Sequence, residues 1–409
     1  MALREAAIHN RNRVLGLLLL LSVIMYLDRV CISVAGPAMQ EALGIGPEGW
    51  GWVTGAFTLA YAAFEVPSGA MGDRWGPRKV LTRIVLWWSA FTSLTGAVSS
   101  LNVLVATRFL FGIGEAGAAP NMGIVIARWF PLEMRSRAWG LSLMALQVGG
   151  AVAPLLVVPV QARWGWRASF FVFGAVGVLW SALWYWWFRD SPQEKDGVAG
   201  VTFAAQEHVS LPWGEAMRSS NLRSLMLMAG SVGWSMSFFQ SWLGTYLAKG
   251  LGFSATGLLW ASLPFLVGAF ANVVGGFVGD IVVRQRGLTF GRRAVGIAGY
   301  GLSTLSLIAA TQFEDKITVI TLLSFAYGGI TLGQPALMNV CLDIGGKFSG
   351  AVTGAMNMAA YTGAFVSSVA YGYMVNRYGY QFPFLPMIGF MLVGTLLWLR
   401  VRPEEPVVA

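Results

Sequence analysis

Val23-Ile24-Met25-Tyr26-Leu27-Asp28-Arg29-Val30-Cys31-Ile32 sets an acid and a base side by side in an otherwise apolar run from Val14 to Gly36. As a helix that run is about 34 Å long, enough to cross the hydrocarbon core of a bilayer. Asp28 and Arg29 therefore fall near the midplane. Either charge costs at least about 2.5–3.5 kcal/mol there, so it faces a protein interior or a water-filled cavity rather than lipid. Two readings follow. The pair lines a path for a polar solute, or it is a static ion pair tying two helices.

Beyond this stretch, the chain of 409 residues is 56% hydrophobic and only 11% charged, with a mean hydropathy of +0.62. That is too little polar surface for a soluble protein and fits an all-α, polytopic membrane protein. Its 51 glycines suit helices that pack closely in lipid, where small residues let backbones approach. Twelve apolar spans are expected at 14–36, 49–72, 81–99, 102–127, 137–161, 168–188, 222–248, 255–280, 293–311, 317–340, 350–374 and 382–400. The longest polar stretch, Arg189 to Ser220, separates spans six and seven. It divides the chain into an N-terminal six-helix bundle (1–188), a linker (189–221) and a C-terminal six-helix bundle (222–409).

Of the 28 Lys and Arg residues, 21 lie on the side of the termini and linker and 5 on the other, with Arg29 and Arg108 inside spans. That bias puts both termini and the linker in the cytoplasm of a multi-pass protein of the plasma (inner) membrane. The net charge of +9 is spread over span ends rather than gathered in a patch, which argues against a nucleic-acid partner. Met1 to Arg13 reads as a short polar tail. The first apolar run is too long for a signal core and lacks a cleavage site, so no cleavable signal is expected. Cys31 and Cys341 both sit in apolar segments, so neither a disulfide framework nor a metal site is expected. There is no nucleotide loop, nucleophile elbow or metal-ligand cluster in the sequence, hence no expected enzyme chemistry and no cofactor.

The halves echo each other. Gly69-Ala-Met-Gly72-Asp73-Arg74-Trp75-Gly76-Pro77-Arg78-Lys79 follows span two, and Gly276-Phe-Val-Gly279-Asp280, then Arg284, Arg286 and Gly291-Arg292-Arg293, follows span eight. Each has glycines for close packing, an acid placed to cap a neighbouring helix, and a basic loop for the anionic leaflet. Repeated halves point to alternating access around a site at the midplane.

These residues resemble a known family. Gly69-x-x-x-Asp73-Arg74-x-Gly76-x-Arg78 resembles the loop motif of the major facilitator superfamily, and Gly276 to Arg293 its weaker second copy. Within it, Tyr26-Leu27-Asp28-Arg29, Arg108 to Asn121, Arg128-Trp129-Phe130-Pro131 and Ser241 to Leu247 are similar to the anion:cation symporter family. The resemblance implies two pseudo-symmetric six-helix bundles and import of a small organic anion, such as a sugar acid, together with protons. It also implies that Asp28 and Glu115 are the protonatable pair, with Arg29 or Arg108 as counter-charge. Two positions depart from the pattern. Tyr361 stands where a second Asn is common, and Glu65 where a neutral residue is common.

Read from the residues, Arg108 and Glu115 are seven apart on span four, so both project from nearly one helix face. Desolvation favours a neutral carboxyl and a nearby arginine favours a charged one. An anion that competes for the arginine therefore frees the acid to take a proton. His9 and His208 lie in polar segments, so carboxylates must carry any proton coupling. Arg29, with Arg108, is the candidate anion clamp, because a guanidinium offers a carboxylate two parallel hydrogen bonds. Tyr61, Gln147, Gln240, Trp242 and Asn357 are candidates around it, though an amide in a bundle also commonly bonds another helix. Glu65 reads as a proton site, a gate or a packed acid. Asp73, Asp280 and Asp343 read as structural, and Trp87, Trp88, Trp184, Trp186, Trp187 and Trp398 as interface anchors. The expectation is a monomer in the bilayer handling an anion and protons. An anion facilitator or exchanger for phosphates and a drug efflux carrier are the alternatives. A second arginine inside the C-terminal spans would favour phosphate, and none is present there.

The charge bias is tested by reporter fusions. Reporters at both termini should act only in the cytoplasm, and one inserted between Arg163 and Arg167 only outside. A C-terminal reporter active outside would break the twelve-span count.

Overall fold

In the computed structural model, residues 2–190 and 211–408 are described, without the side chains of residues 2–9, 66, 70, 73, 132, 133 and 136. Most of the expected linker, with His208, lies outside the described residues, as do the side chains of His9 and Asp73. Every expected span is helical. Span one is Ala2–Leu43, two Pro47–Trp75, three Pro77–Ala97, five Leu132–Trp164 and six Trp166–Trp187. Span four comes in two pieces, Leu101–Glu115 and Ala118–Trp129. Span seven starts as Ser220–Ser237 and continues through wider-wound turns to Gly250. Span eight is Ser262–Arg286 after a tighter turn, nine Leu288–Ala310, ten Lys316–Gly345, eleven Ser349–Tyr378 and twelve Phe384–Leu397. A single turn, Trp213–Ala216, falls where the linker was expected.

Among the described residues, only seven helical stretches satisfy the length and hydropathy of a membrane span by themselves. Span seven is divided into shorter pieces, and span twelve, though strongly apolar, is 14 residues long. Outward faces are strongly apolar: Phe270, Phe277, Leu179 and Leu305 are 67–72% exposed, as only a lipid-covered surface tolerates.

The packing repeats with an offset of six. Spans one and five, two and four, and three and six pair in the N-terminal half; seven and eleven, eight and ten, and nine and twelve pair in the C-terminal half. Between halves, span two meets eleven and span eight meets five, while one meets seven. This is the pattern of a pseudo-twofold axis. Glycines sit at these crossings. A Cβ at Gly149 would strike the backbone of Val23, one at Gly233 that of Ala360, and one at Gly275 that of Leu332. In lipid, such backbone approach is a main source of helix adhesion.

The halves meet unequally. On the side away from the termini they are tightly closed. A Cβ at Gly244 would strike Ser33, one at Gly51 Ser368, and one at Gly372 Pro47. Gln40 donates to Thr245 at 2.8 Å, Lys249 to Gln40 at 3.1 Å and Asn376 to Glu48 at 2.8 Å. Toward the termini, Gly140, Gly350 and Gly354 have nothing within 4 Å of a Cβ position. Gly350 and Gly354 share a helix face with Asn357 and Tyr361, so this space lies between the halves.

The loop motif differs in detail from its expected roles. Gly69 and Gly72 do allow close approach, since their Cβ atoms would meet Pro120 and Asn121. Gly76 is at φ 79, a left-handed turn that starts span three. Among the described side chains, Asp190 caps span three, accepting from the Arg78 backbone N–H at 2.8 Å. Arg78 also donates to the Tyr185 carbonyl at 3.0 and 2.6 Å, while Arg74 is exposed. In the second copy Gly276 faces open space and Gly275 makes the close contact, a one-residue turn of the helix face. Asp280 is exposed. Arg292 and Asp343 form an ion pair at 3.0 Å that joins spans nine and ten.

Three tryptophans expected at the interface are core residues. Trp88, Trp184 and Trp398 are fully buried, and Trp184 stacks on Phe188 at 3.8 Å. Helix ends in a bundle have inward faces as well as lipid faces. Trp87 and Trp186 are exposed as expected.

Gly244→Ala and Gly354→Ala should shift stability in opposite directions. The first forces a Cβ into backbone and should cost about 1–3 kcal/mol. The second adds a better helix former in open space and should gain up to about 1 kcal/mol. Thermal unfolding in detergent reads both, and equal shifts would remove the close approach at Gly244.

Candidate functional site

Arg29 is the centre. Span one carries it to mid-depth, where span four stops. Glu115 is the last residue of the first piece of span four, and Gly117 breaks the helix at φ 105. A side chain at Gly117 would strike Ser68. Pro120 and Asn121 restart the helix, with Asn121 Nδ2 donating to the carbonyls of Gly117 at 2.7 Å and Ser68 at 3.3 Å. The break leaves the Glu115 carboxylate against Arg29, whose Nε donates to Oε1 at 2.5 Å.

Rings surround the rest of the guanidinium. Its Cζ is 4.7 Å from the Tyr61 ring, 5.2 Å from Phe57 and 5.9 Å from Tyr26. Nη1 donates to the Tyr361 hydroxyl at 3.5 Å, a weak bond that joins the halves. Among the described residues, Nη2 has no hydrogen-bond partner, nor does Glu115 Oε2. The fork is therefore half used. It can take one more acceptor, and an anion could replace Glu115 as its partner.

Asp28 and Arg108 lie deeper in the N-terminal half. Asp28 is buried with its carboxylate beside the Trp88 indole N–H, and the charges of Glu115 and Arg108 act on it. The Arg108 guanidinium lies 4.4 Å from the Phe111 ring and 5.1 Å from Phe57, and its Nε has no partner. Phe57 thus stands between two cations. Two acids and two arginines share one nearly dry interior, the arrangement in which adding a proton or an anion changes every partner.

Other sequence candidates reach this centre through tyrosines. Gln240 donates to the Tyr26 hydroxyl at 2.7 Å. Gln147 accepts from the Tyr327 hydroxyl at 3.0 Å. Asn357 donates to Glu65 at 3.3 Å, one turn nearer the termini than Tyr61 and Tyr361. Tyr61 and Tyr361 lie ring to ring at 4.3 Å and 31°. Trp242 is placed elsewhere, buried within the C-terminal half 6.3 Å from Tyr371. Gln240 and Trp242 are two residues apart, and on any helix such residues face nearly opposite ways.

Sequence reasoning passed over Tyr26, Phe57, Tyr327 and Tyr361 as members of the centre. Tyr26 lies three before Arg29, and Tyr361 four after Asn357, so helical spacing could have found both. Phe57, four before Tyr61, carried the same signal, and Tyr327 had none. An apolar groove lined by Trp52, Leu59, Phe109 and Phe365 lies outside this centre and holds no charged group.

Comparison with known proteins agrees with this architecture. The family model described as Major Facilitator Superfamily matches residues 18–368. The chain is 33% identical to the probable sulfoacetate transporter SauU of Cupriavidus necator, over 97% of this chain and 95% of that protein. It is 29% identical to the probable L-galactonate transporter of Escherichia coli K12, covering 88% and 82%. The structure of a bacterial homologue of the human lysosomal transporter Spinster, inward-facing and unoccupied, superposes with a TM-score of 0.78 at 18% identity and 96% coverage of both chains. That similarity shows the fold alone. Twelve spans in two symmetric bundles and a family match over most of the length carry one conclusion: the chain belongs to the Major Facilitator Superfamily and is a multi-pass membrane transporter, not an enzyme.

Proposed function

We propose that this protein imports a small organic anion together with protons, by alternating access at Arg29. One observation carries the reading. A guanidinium at the junction of two symmetric bundles is neutralised by one carboxylate and keeps a donor free. Relatives supply the chemical class of the cargo: sulfoacetate for the relative from Cupriavidus necator, and galactonate, hexuronate or glucarate for others. All are small acids that a guanidinium fork matches.

The cycle follows from charge. An incoming anion takes over Arg29 from Glu115, and Glu115 left unpaired in a dry site is costly until a proton neutralises it. Loaded and protonated, the centre carries less unpaired charge and the halves can rock about it. Asp28 is the second acid within reach of the same arginines. Residues 1–188 and 222–409 are the moving bundles, joined by the 189–221 segment. With the termini in the cytoplasm of a plasma membrane, the open space beside Gly140 and Gly354 faces inward. No second chain is required for this cycle, so a monomer suffices.

Arg29→Lys keeps the charge and loses the planar fork. Anion affinity should fall by about 10- to 150-fold, as for a lost hydrogen bond of 1.5–3 kcal/mol to a charged group. Unchanged affinity in a binding titration would remove Arg29 from the site.

Glu115→Gln should separate cargo from proton movement. Glutamine imitates the neutral carboxyl and cannot change charge. Labelled anion should still exchange for unlabelled anion across proteoliposomes, but an inward proton gradient should no longer concentrate it. Concentration equal to the parent's would show that Glu115 is not a required proton site.

A further inference from the structure

Resting on the anion reading above, we propose that Tyr361, closing on Tyr61 over Arg29, is a collar that limits the cargo to acids shorter than a six-carbon sugar acid. Tyr61 comes from span two and Tyr361 from span eleven, so the collar is shared between the halves. The rings are 4.3 Å apart, in contact, and the guanidinium lies 4.7 Å from one ring and 3.5 Å from the hydroxyl of the other. An anion bonded to the fork has these rings immediately beside it. A six-carbon chain would have to pass between them.

The amides that could read distant hydroxyls are each held by one bond. Gln240 bonds Tyr26, Gln147 bonds Tyr327 and Asn357 bonds Glu65. Those bonds fix where each amide points, so a polyhydroxylated chain must break them or match only the groups each amide keeps, and mismatched polar groups discriminate strongly. About 5.4 Å beyond the collar, one helical turn on, stands Glu65, an acid where the far carboxylate of a long diacid would arrive. A short acid meets none of these obstacles.

The filter acts at closure. Because the rings belong to different halves, they part and meet as the halves rock. A cargo short enough to lie on Arg29 lets them meet. A longer one holds them apart and stalls the cycle, so it occupies the site without crossing the membrane.

The test uses full-length protein in proteoliposomes with an inward proton gradient, and a ladder of labelled glycolate, glycerate, threonate and galactonate. The parent should carry galactonate at least about 10-fold more slowly than glycerate. Tyr361→Asn should raise the galactonate-to-glycerate ratio by about 10-fold, and Tyr361→Phe, which keeps the ring, should leave the parent ratio. A parent that moves galactonate as fast as glycerate overturns the collar and leaves the anion reading standing. So does Tyr361→Asn with the parent ratio, or Tyr361→Phe with the ratio of Tyr361→Asn. If Tyr361→Asn does not insert, the parent ratio decides. If neither an acid of the ladder nor sulfoacetate moves, the anion reading falls and the collar with it.

Discussion

A guanidinium held away from water at the junction of two bundles is the constraint to which the rest of this protein answers. Removing one partner of a buried ion pair costs about 3–5 kcal/mol, because the other charge is left uncompensated. Arg29 has a single carboxylate partner, and that carboxylate is in place only because span four stops at Glu115. Rings of Tyr26, Phe57 and Tyr61 supply the remaining contacts, with cation–π attraction of about 0.5–2 kcal/mol each. These contacts do not replace a counter-charge. The pair is therefore stable enough to organise the centre and poor enough in partners to accept an anion.

The surrounding helices make that exchange mechanical. In lipid there is little hydrophobic drive between helices, so adhesion comes from backbone approach and a few hydrogen bonds. The same crossings recur in both halves, yet the side away from the termini is closed by Gly51, Gly244 and Gly372 while the other side is roomy beside Gly354. Two symmetric halves with one closed and one open end are what rocking about a central axis requires. The crossings resist little beyond van der Waals contact, which suits a motion repeated at every cycle.

The amides show how burial redirects polar groups. Gln147, Gln240 and Asn357 are each of a type suited to hydroxyl recognition. In the folded chain each is held by one bond to a phenol or a carboxyl, because an unpaired amide in this interior would cost about 1–3 kcal/mol. The amides are thereby turned toward tyrosines and Glu65, while Arg29 Nη2 and Arg108 Nε keep donors without a partner among the described residues.

The sequence by itself determined the membrane class, the twelve spans and the two-half plan, and it singled out Asp28 and Arg29 as charges inside a span. It could do so because length, hydropathy and a charge inside an apolar run are local properties. Glu115 as a proton site came with the family resemblance, and Tyr61, Gln147, Gln240 and Asn357 were candidates by side-chain chemistry. Tertiary structure decided what those residues touch. Tyr361 meets Arg29 across 332 positions of sequence and Asp190 caps span three across 112, separations at which no local pattern operates. Trp88, Trp184 and Trp398 read as interface anchors until packing turned them inward, and Trp242, two residues from Gln240 and so on the opposite helix face, packs within the C-terminal half. Side-chain direction is set by helix winding and by which neighbour arrives first, and both are properties of the assembled bundles.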